Sequence, residues 1–354
     1  MKIAVVGVGL IGGSVGLAAR ARLGAEVVGW DPSPGALEEA LARGALDRAA
    51  PGAAQALDGA EAVFVAAPVG ALPGAVRTAL AAAGPDCVVT DVGSTKRTVV
   101  EATEDHRFVG GHPLAGAATA GVEHARADLF DGAIWYLTPT ATTQGTLYER
   151  LYRLLGGLGA RPAAIDAATH DRLLAIVSHL PHVLANVLVA QAAQALGEES
   201  VPATGPSFRD ITRVAGSNTE IWRDIYLANA DALIAAIDDA TARLADVRAL
   251  LAAADGDAVA TWNDGARDDR RRLLEADLAG SEVHELRVSV PNRPGVVAEV
   301  ALALGRGGVN ISDMALYPAP DRSSGYIVLW IAGAERAAQA EALVVELGLP
   351  VARA

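Results

Sequence analysis

Lys2-Ile3-Ala4-Val5-Val6-Gly7-Val8-Gly9-Leu10-Ile11-Gly12-Gly13-Ser14-Val15-Gly16 is the stretch from which the fold is read. Its apolar start has strand length and is rich in β-branched residues, and the glycines after it open a helical pattern. In that setting Gly7 permits a tight turn, Gly9 lets the backbone approach a pyrophosphate, and Gly12 lets the helix pack on the strand. The helix N-terminus, with Leu10 and Ile11 in its first turn, faces the anion. Spacing alone is weak. Asp31, at the end of the next strand candidate Glu26–Trp30, completes a dinucleotide fingerprint by accepting protons from both ribose hydroxyls. Pro32-Ser33-Pro34 follows with no arginine for a 2′-phosphate, which favours NAD over NADP; a simple loop cap is the alternative role for Asp31. Pro68 and Gly70, beyond the third strand, are expected to line the adenine or pyrophosphate side of the crevice.

Outward from this unit, residues 1–165 alternate short apolar runs (62–66, 87–90, 108–110, 134–137, 162–165) with helical patterns, which predicts a parallel, doubly wound sheet of the Rossmann type. Residues 166–280 carry long Ala/Leu-rich helical patterns such as 231–254 and read as an all-helical domain. Residues 281–354 run strand 284–290, helix 296–304, strands 309–316 and 326–331, helix 335–347 and a last strand at 350–352. That βαββαβ order predicts a ferredoxin-like α+β sandwich.

Composition narrows the function classes. In 354 residues 51% are hydrophobic but only 4% aromatic, which excludes disorder and favours helices built on small aliphatics. A net charge of −13 argues against a nucleic-acid partner, so an anionic substrate must be held by local arginines or helix N-termini. The single cysteine, Cys87, rules out an intramolecular disulfide framework, and with no signal peptide before the first strand a cytoplasmic location is expected. Residues 173–196 hold no charge and are long enough to cross a bilayer. Their Ser178, His179, His182, Asn186, Gln191 and Gln194 predict instead a helix buried in protein at a subunit interface, hence a homodimer and no membrane partner.

Three clusters carry chemistry. His112, in Gly110-Gly111-His112-Pro113, follows a strand, and strand carboxyl ends face the ligand crevice; an imidazole there suits removal of a hydroxyl proton as hydride leaves the same carbon. Ser94, after the preceding strand, is expected beside it, bonding the same substrate oxygen or orienting the ring. A structural loop histidine with Ser94 as a helix N-cap is the alternative. His179 and His182, at i and i+3, share a helix face in an apolar segment, and burial obliges them to find partners or line a cavity. No metal is expected, since no cysteine cluster or HExxH pattern accompanies them. Phe208-Arg209-Asp210-Ile211-Thr212-Arg213 supplies a guanidinium fork in Arg213 for a substrate carboxylate, with Asp210 placed to pair with it beforehand.

With these stretches in view, the chain resembles the prephenate/arogenate dehydrogenases of tyrosine biosynthesis over essentially its whole length. The carriers are GVGLIGGSVG (7–16), DVGSTK (91–96), GHPLAG (111–116), VSHLPH (177–182) and FRDITR (208–213), and the PNRPGVVAEVA…GVNI pattern from 291 resembles an ACT domain. The resemblance implies that His112 is the base on the C4 hydroxyl of prephenate, Ser94 its neighbour, and Arg213 the carboxylate ligand, with His179 and His182 shaping the pocket. It implies NAD as cofactor with Ser94 among the residues near it, and an amino-acid-sensing C-terminal module; tyrosine is the expected effector, with Asn292, Gly295 and Asn310 as candidate contacts, and a tail that only stabilises the oligomer is the alternative. A histidine at 182 is similar to prephenate-type members. Ala117-Ala118 depart from the Thr/Ser-plus-acid that many relatives carry after GHPLAG. A β-hydroxyacid dehydrogenase is a poorer match, because its helical-domain lysine is missing: the only lysines are Lys2 and Lys96. An imine reductase would leave His112, His179 and Arg213 unexplained, and an idle sensor of NAD and an amino acid is the rival outside enzymes.

Overall fold

Along β1 (Lys2–Val6) successive side chains enter two different apolar layers: Ile3 and Val5 join Val27, Phe64, Trp135 and Leu151, whereas Ala4 and Val6 join Val28, Val63, Val65 and Leu72. A strand buried on both faces belongs in the middle of a sheet covered on both sides. That sheet contains β1, β2 (Glu26–Trp30), β3 (Arg48–Ala49), β4 (Ala62–Val65), β5 (Val88–Asp91), β6 (Phe108–Pro113), β7 (Ile134–Thr138) and β8 (Arg161–Ala164), in the order β3-β2-β1-β4-β5-β6-β7-β8. Around it lie α1 (Leu10–Leu23), α2 (Pro34–Ala42), α3 (Ala53–Leu57), α4 (Leu72–Ala82), α5 (Arg97–Val100) and α6 (Gly145–Gly157). The computed structural model describes residues 1–116, 119–199, 204–277, 282–291, 293, 296–319 and 323–353.

The all-parallel expectation is corrected at one pair: β7 runs antiparallel to β6, with Gly110 opposite Thr138 and His112 opposite Tyr136. A parallel return needs a crossover, usually helical, packed on the sheet. Between these strands the described chain forms only a 3₁₀ turn at Val122–His124, and β7 comes back the other way. After α6 crosses over, β8 is again parallel to β7.

Helices follow: α7 (Ala167–Leu174), a π-helical turn Ala175–His179, α8 (Leu180–Glu199), α9 (Pro206–Ile211), α10 (Thr219–Ala228), α11 (Ala230–Ala252) and α12 (Gly256–Asp277). The stretch Ala167–Ala195 is long and apolar enough to cross a membrane by length and composition. Within the single chain its burial is one-sided, as a helix that presents an apolar face to a second subunit would be. His170, Asp171, His179 and His182 are buried, while Leu173, Ile176, Val177, Leu184, Val187 and Leu188 are exposed within this chain.

Contacts group the chain as Met1–Thr241 and Ala242–Ala354. In the second unit β9 (Val283–Pro291), α13 (Val296–Arg306), β10 (Asp313–Pro318), β11 (Ser324–Ala332), α14 (Ala334–Glu346) and β12 (Val351–Arg353) form the expected sandwich, with antiparallel order β10-β11-β9-β12. Alternation divides its sheet: Leu286, Val288, Ile327 and Leu329 pack with Val300, Leu304 and Val344, while Val328 and Trp330 face the other way. On that second face the Arg270 guanidinium of α12 lies 4.2 Å from the Trp330 ring centroid.

Candidate active site

The glycine loop has the shape its spacing predicts. Gly7 sits at φ +93°, and a Cβ there would lie 2.4 Å from the Ala66 carbonyl oxygen. At Gly12 a Cβ would lie 2.0 Å from the Gly7 oxygen, so helix and strand meet only without a side chain. Gly9 differs: no atom outside its immediate neighbours comes within 4 Å of its would-be Cβ, and its backbone is extended at φ −84° and ψ −155°. No side chain caps the first turn of α1. Uncapped N–H groups beside open room make an anion cradle. The Asp31 carboxylate accepts from Val8 N and from Ser33 N, each at 2.8 Å. It therefore caps its own turn and braces the glycine loop at once, with lone pairs left for two hydroxyls. Pro68 is exposed just past β4, and Gly70 turns towards α10, where its Cβ would meet Asp224 Oδ2 at 2.9 Å. The residues present thus fit a dinucleotide: Asp31 would hold its ribose and Gly9 would border its pyrophosphate.

His112 closes β6 and is 8% exposed. Its Nδ1 lies 2.9 Å from His170 Nε2, and His170 Nδ1 lies 2.8 Å from Asp171 Oδ1. Asp171 also accepts from Lys96 N at 2.7 Å and Arg97 N at 2.9 Å, so this carboxylate, and not Ser94, serves the N-terminus of α5. Asp166 caps α7 by accepting from Thr169 N at 2.8 Å, which starts the helix at the turn that delivers His170 and Asp171. On the other side Lys96 Nζ pairs with Asp91 in full burial, and Asp91 accepts from Gly93 N at 2.8 Å and Gly111 N at 3.1 Å. Burial pushes the His112 imidazole well below its ordinary pKa, helped by His170, Lys96 and His179. Its resting form is therefore the neutral ring.

His179 and His182 flank one indole: Trp222 stacks on His182 at 3.6 Å between centroids and stands edge-on to His179 at 6.2 Å. Asn229 Nδ2 donates to the Asp171 carbonyl at 2.7 Å and reaches His179 Nδ1 at 3.2 Å, while Asn186 Nδ2 and the Tyr226 hydroxyl meet His182 Nδ1. Because the amide nitrogens donate to Nδ1, each ring carries its proton on Nε2, and both Nε2 atoms are buried with no hydrogen-bond partner among the described residues. Desolvation lowers the His179 pKa to about 4 and lowers that of His182 as well. His182, Asn186, Ser217, Trp222, Arg223 and Tyr226 line a cavity of about 350 Å³.

The remaining expectations fall out unevenly. Arg213 and Asp210 are both exposed and do not pair, because α9 ends at Ile211 and the i,i+3 helical face is lost. Ser94 is half-buried, and His112 takes its orienting bond from His170 instead of the Ser94 hydroxyl. Asn310 is exposed ahead of β10, whereas Asn292, Gly295 and the Ala117-Ala118 pair lie outside the described residues. His170, Asp171 and Asn229 escape the motif reading, and Lys96 enters it only as the last residue of DVGSTK, without a role. The clue to Asp171 is helical spacing, since 171, 175, 179, 182 and 186 fall on one face.

A doubly wound sheet with an anion cradle at its first turn, and a buried neutral imidazole at the carboxyl end of β6, defines a nucleotide-binding protein of the dehydrogenase type. Residues 15–163 match the prephenate dehydrogenase nucleotide-binding domain, 166–263 the prephenate dehydrogenase dimerization domain, and 286–348 an AHAS small subunit-like ACT domain. A prephenate dehydrogenase of Bacillus subtilis is 33% identical over 325 residues, which covers 88% of this chain and 87% of the relative. The structure of an Aquifex aeolicus prephenate dehydrogenase, in complex with hydroxyphenyl propionate and NAD+, aligns with TM-score 0.71 and 28% identity over 77% of this chain and 98% of that one. For the arogenate dehydrogenase of Synechocystis the TM-score is 0.69 and the identity 29%, over 77% of this chain and all (100%) of the other. The chain belongs to the prephenate dehydrogenase family.

Proposed function

We propose that this protein is an NAD-dependent prephenate dehydrogenase, converting prephenate to 4-hydroxyphenylpyruvate and carbon dioxide. The observation that carries the reading is the His112 ring, neutral through burial at the strand end where the crevice opens, with its Nδ1 already taken by His170. Bound NAD supplies the hydride acceptor. His112 Nε2 takes the C4 hydroxyl proton as hydride leaves C4; the C1–carboxylate bond then breaks, carbon dioxide departs, and the proton returns to the new phenolic oxygen. Aromatisation drives the step, so the protein's share is placement and electrostatics. The Nε2–H groups of His179 and His182, without partners among the described residues, serve as donors to the dianion, and the exposed Arg213 holds a substrate carboxylate. Ser94, beside the DVG turn, bonds the substrate oxygen.

Three regions divide the work in this reading: cofactor binding over 1–165, substrate binding and dimerisation over 166–280, and regulation over 281–354. The exposed apolar stripe on α7 and α8 supports a homodimer, the ACT match supports an amino-acid effector, for which tyrosine is the candidate, and the lone, buried Cys87 thiol suits a cytoplasmic location. Arogenate is the second substrate reading, favoured by the likeness to the Synechocystis enzyme. Initial rates of NADH appearance with prephenate and arogenate, with and without tyrosine, test all of this. The expected result is turnover of prephenate, reduced by tyrosine and lowered about 10²–10⁴-fold in His112→Asn with NAD affinity kept. Tight NAD binding with no turnover of either compound would leave an idle sensor.

A further inference from the structure

A histidine can act as a base only through a nitrogen that carries a free lone pair, and the partner of its other nitrogen decides which one that is. In this chain the deciding chain of bonds ends on Asp171. Its carboxylate meets three groups, and two of them, Lys96 N and Arg97 N, are backbone N–H donors. The third is His170 Nδ1 at 2.8 Å. A carboxylate held among donors accepts from all of them, so the His170 proton sits on Nδ1 and its Nε2 is left as an acceptor. His112, 2.9 Å away, must then donate from Nδ1, and its own Nε2 keeps the lone pair.

We propose that His170 and Asp171 are positioning residues that lock His112 in the Nδ1–H tautomer and steady the ring while it holds the substrate's proton. The inference deepens the proposed function and rests on His112 as the base. His170 is 0% exposed, so it acts through His112 and not on the substrate. The arrangement is held from several sides. Tyr136 of β7 stands edge-on to His170 at 5.7 Å, Asn229 ties the Asp171 carbonyl at 2.7 Å, and Asp91 pairs with Lys96 and fixes Gly111 N one residue before His112. The other ionisable groups around His112 are thereby named: Lys96 and Asp91 from the β5 end, His170 and Asp171 from α7, His179 from the π-helical turn and Tyr136 from β7. The opposite polarity, a charged His170 donating to His112 Nδ1, would put the His112 proton on Nε2 and leave no base facing the crevice.

Nitrogen NMR of the full chain with ¹⁵N-labelled histidine reads the tautomer without any turnover, and the His112 signals are assigned by their loss in His112→Asn. The expected spectrum shows His112 protonated at Nδ1 and bare at Nε2 near neutral pH. His170→Phe keeps a ring against Tyr136 but removes the acceptor. It should lower kcat about 10²–10³-fold, leave both KM values within about threefold, and mix the His112 tautomers. His170→Gln restores an acceptor oxygen and should recover kcat to within about tenfold of the wild type. A wild-type His112 with its proton on Nε2 overturns the proposal even if the phenylalanine variant does not fold, and so does His170→Phe with unchanged kcat. A His112→Asn variant that keeps its turnover would instead sink the base assignment, whatever the tautomer shows.

Discussion

Gly9→Ala separates cofactor binding from stability more cleanly than any other single change in the glycine loop. Its backbone, at φ −84° and ψ −155°, is extended, and the added methyl meets no protein atom within 4 Å outside its chain neighbours and the backbone of its own helix. Folding should therefore be unharmed or gain about 0.4–1 kcal/mol through a stiffer unfolded chain, a rise of roughly 1–3 °C in Tm. The same methyl stands where a pyrophosphate must approach the first turn of α1. Overpacking of that kind costs about 1–3 kcal/mol, or roughly 5- to 150-fold in the NAD dissociation constant. Gly12→Ala is the contrast, because its Cβ would sit 2.0 Å from the Gly7 oxygen and should destabilise the fold itself. Thermal melts with and without NAD, together with calorimetric titration, measure both effects. A Gly9→Ala protein that binds NAD as tightly as the wild type would refute the placement of the cofactor.

Arg213→Ala should raise KM for prephenate about 10- to 100-fold while kcat stays within about threefold, since a charge-assisted bond to a carboxylate is worth about 1.5–3 kcal/mol; steady-state kinetics with KM unchanged would place the anion elsewhere. Acid should weaken the fold. His179 titrates at about 4 when folded against the ordinary 6.5, so the unfolded chain binds the extra proton first, and stability is lost as pH falls from 6.5 towards 4. At pH ~5 that loss is about 2 kcal/mol from His179 alone, and denaturant midpoints for wild type and His179→Gln should converge there by about that amount.

How much was legible follows from the range of each signal. The cofactor loop, Asp31 and the C-terminal sandwich are written in local patterns, glycine spacing and strand alternation, that need no knowledge of distant contacts. The reversal of β7 depends on what fills the gap after Pro113, and a missing crossover helix leaves no positive mark in the sequence. His112 stood out because it ends a strand. Its support did not: His170 lies 58 residues further along the chain, and Asn229 another 58 beyond Asp171. Asp171 falls just ahead of the charge-free run that begins at Leu173, so a search for apolar helices passes over it. The expected Asp210–Arg213 pair fails for a local reason, since a three-residue spacing makes neighbours only while the helix lasts.

The sealed Asp91–Lys96 pair has a practical corollary. With two lysines in the whole sequence and Lys96 out of reach, Lys2 is the one side-chain amine open to acylating reagents. It sits at the amino end of β1, across the sheet from the crevice that opens at the carboxyl ends. Dyes or solid supports coupled through amines would therefore attach at Lys2 or at the neighbouring Met1 α-amine, both at the amino end of β1 and away from the catalytic machinery.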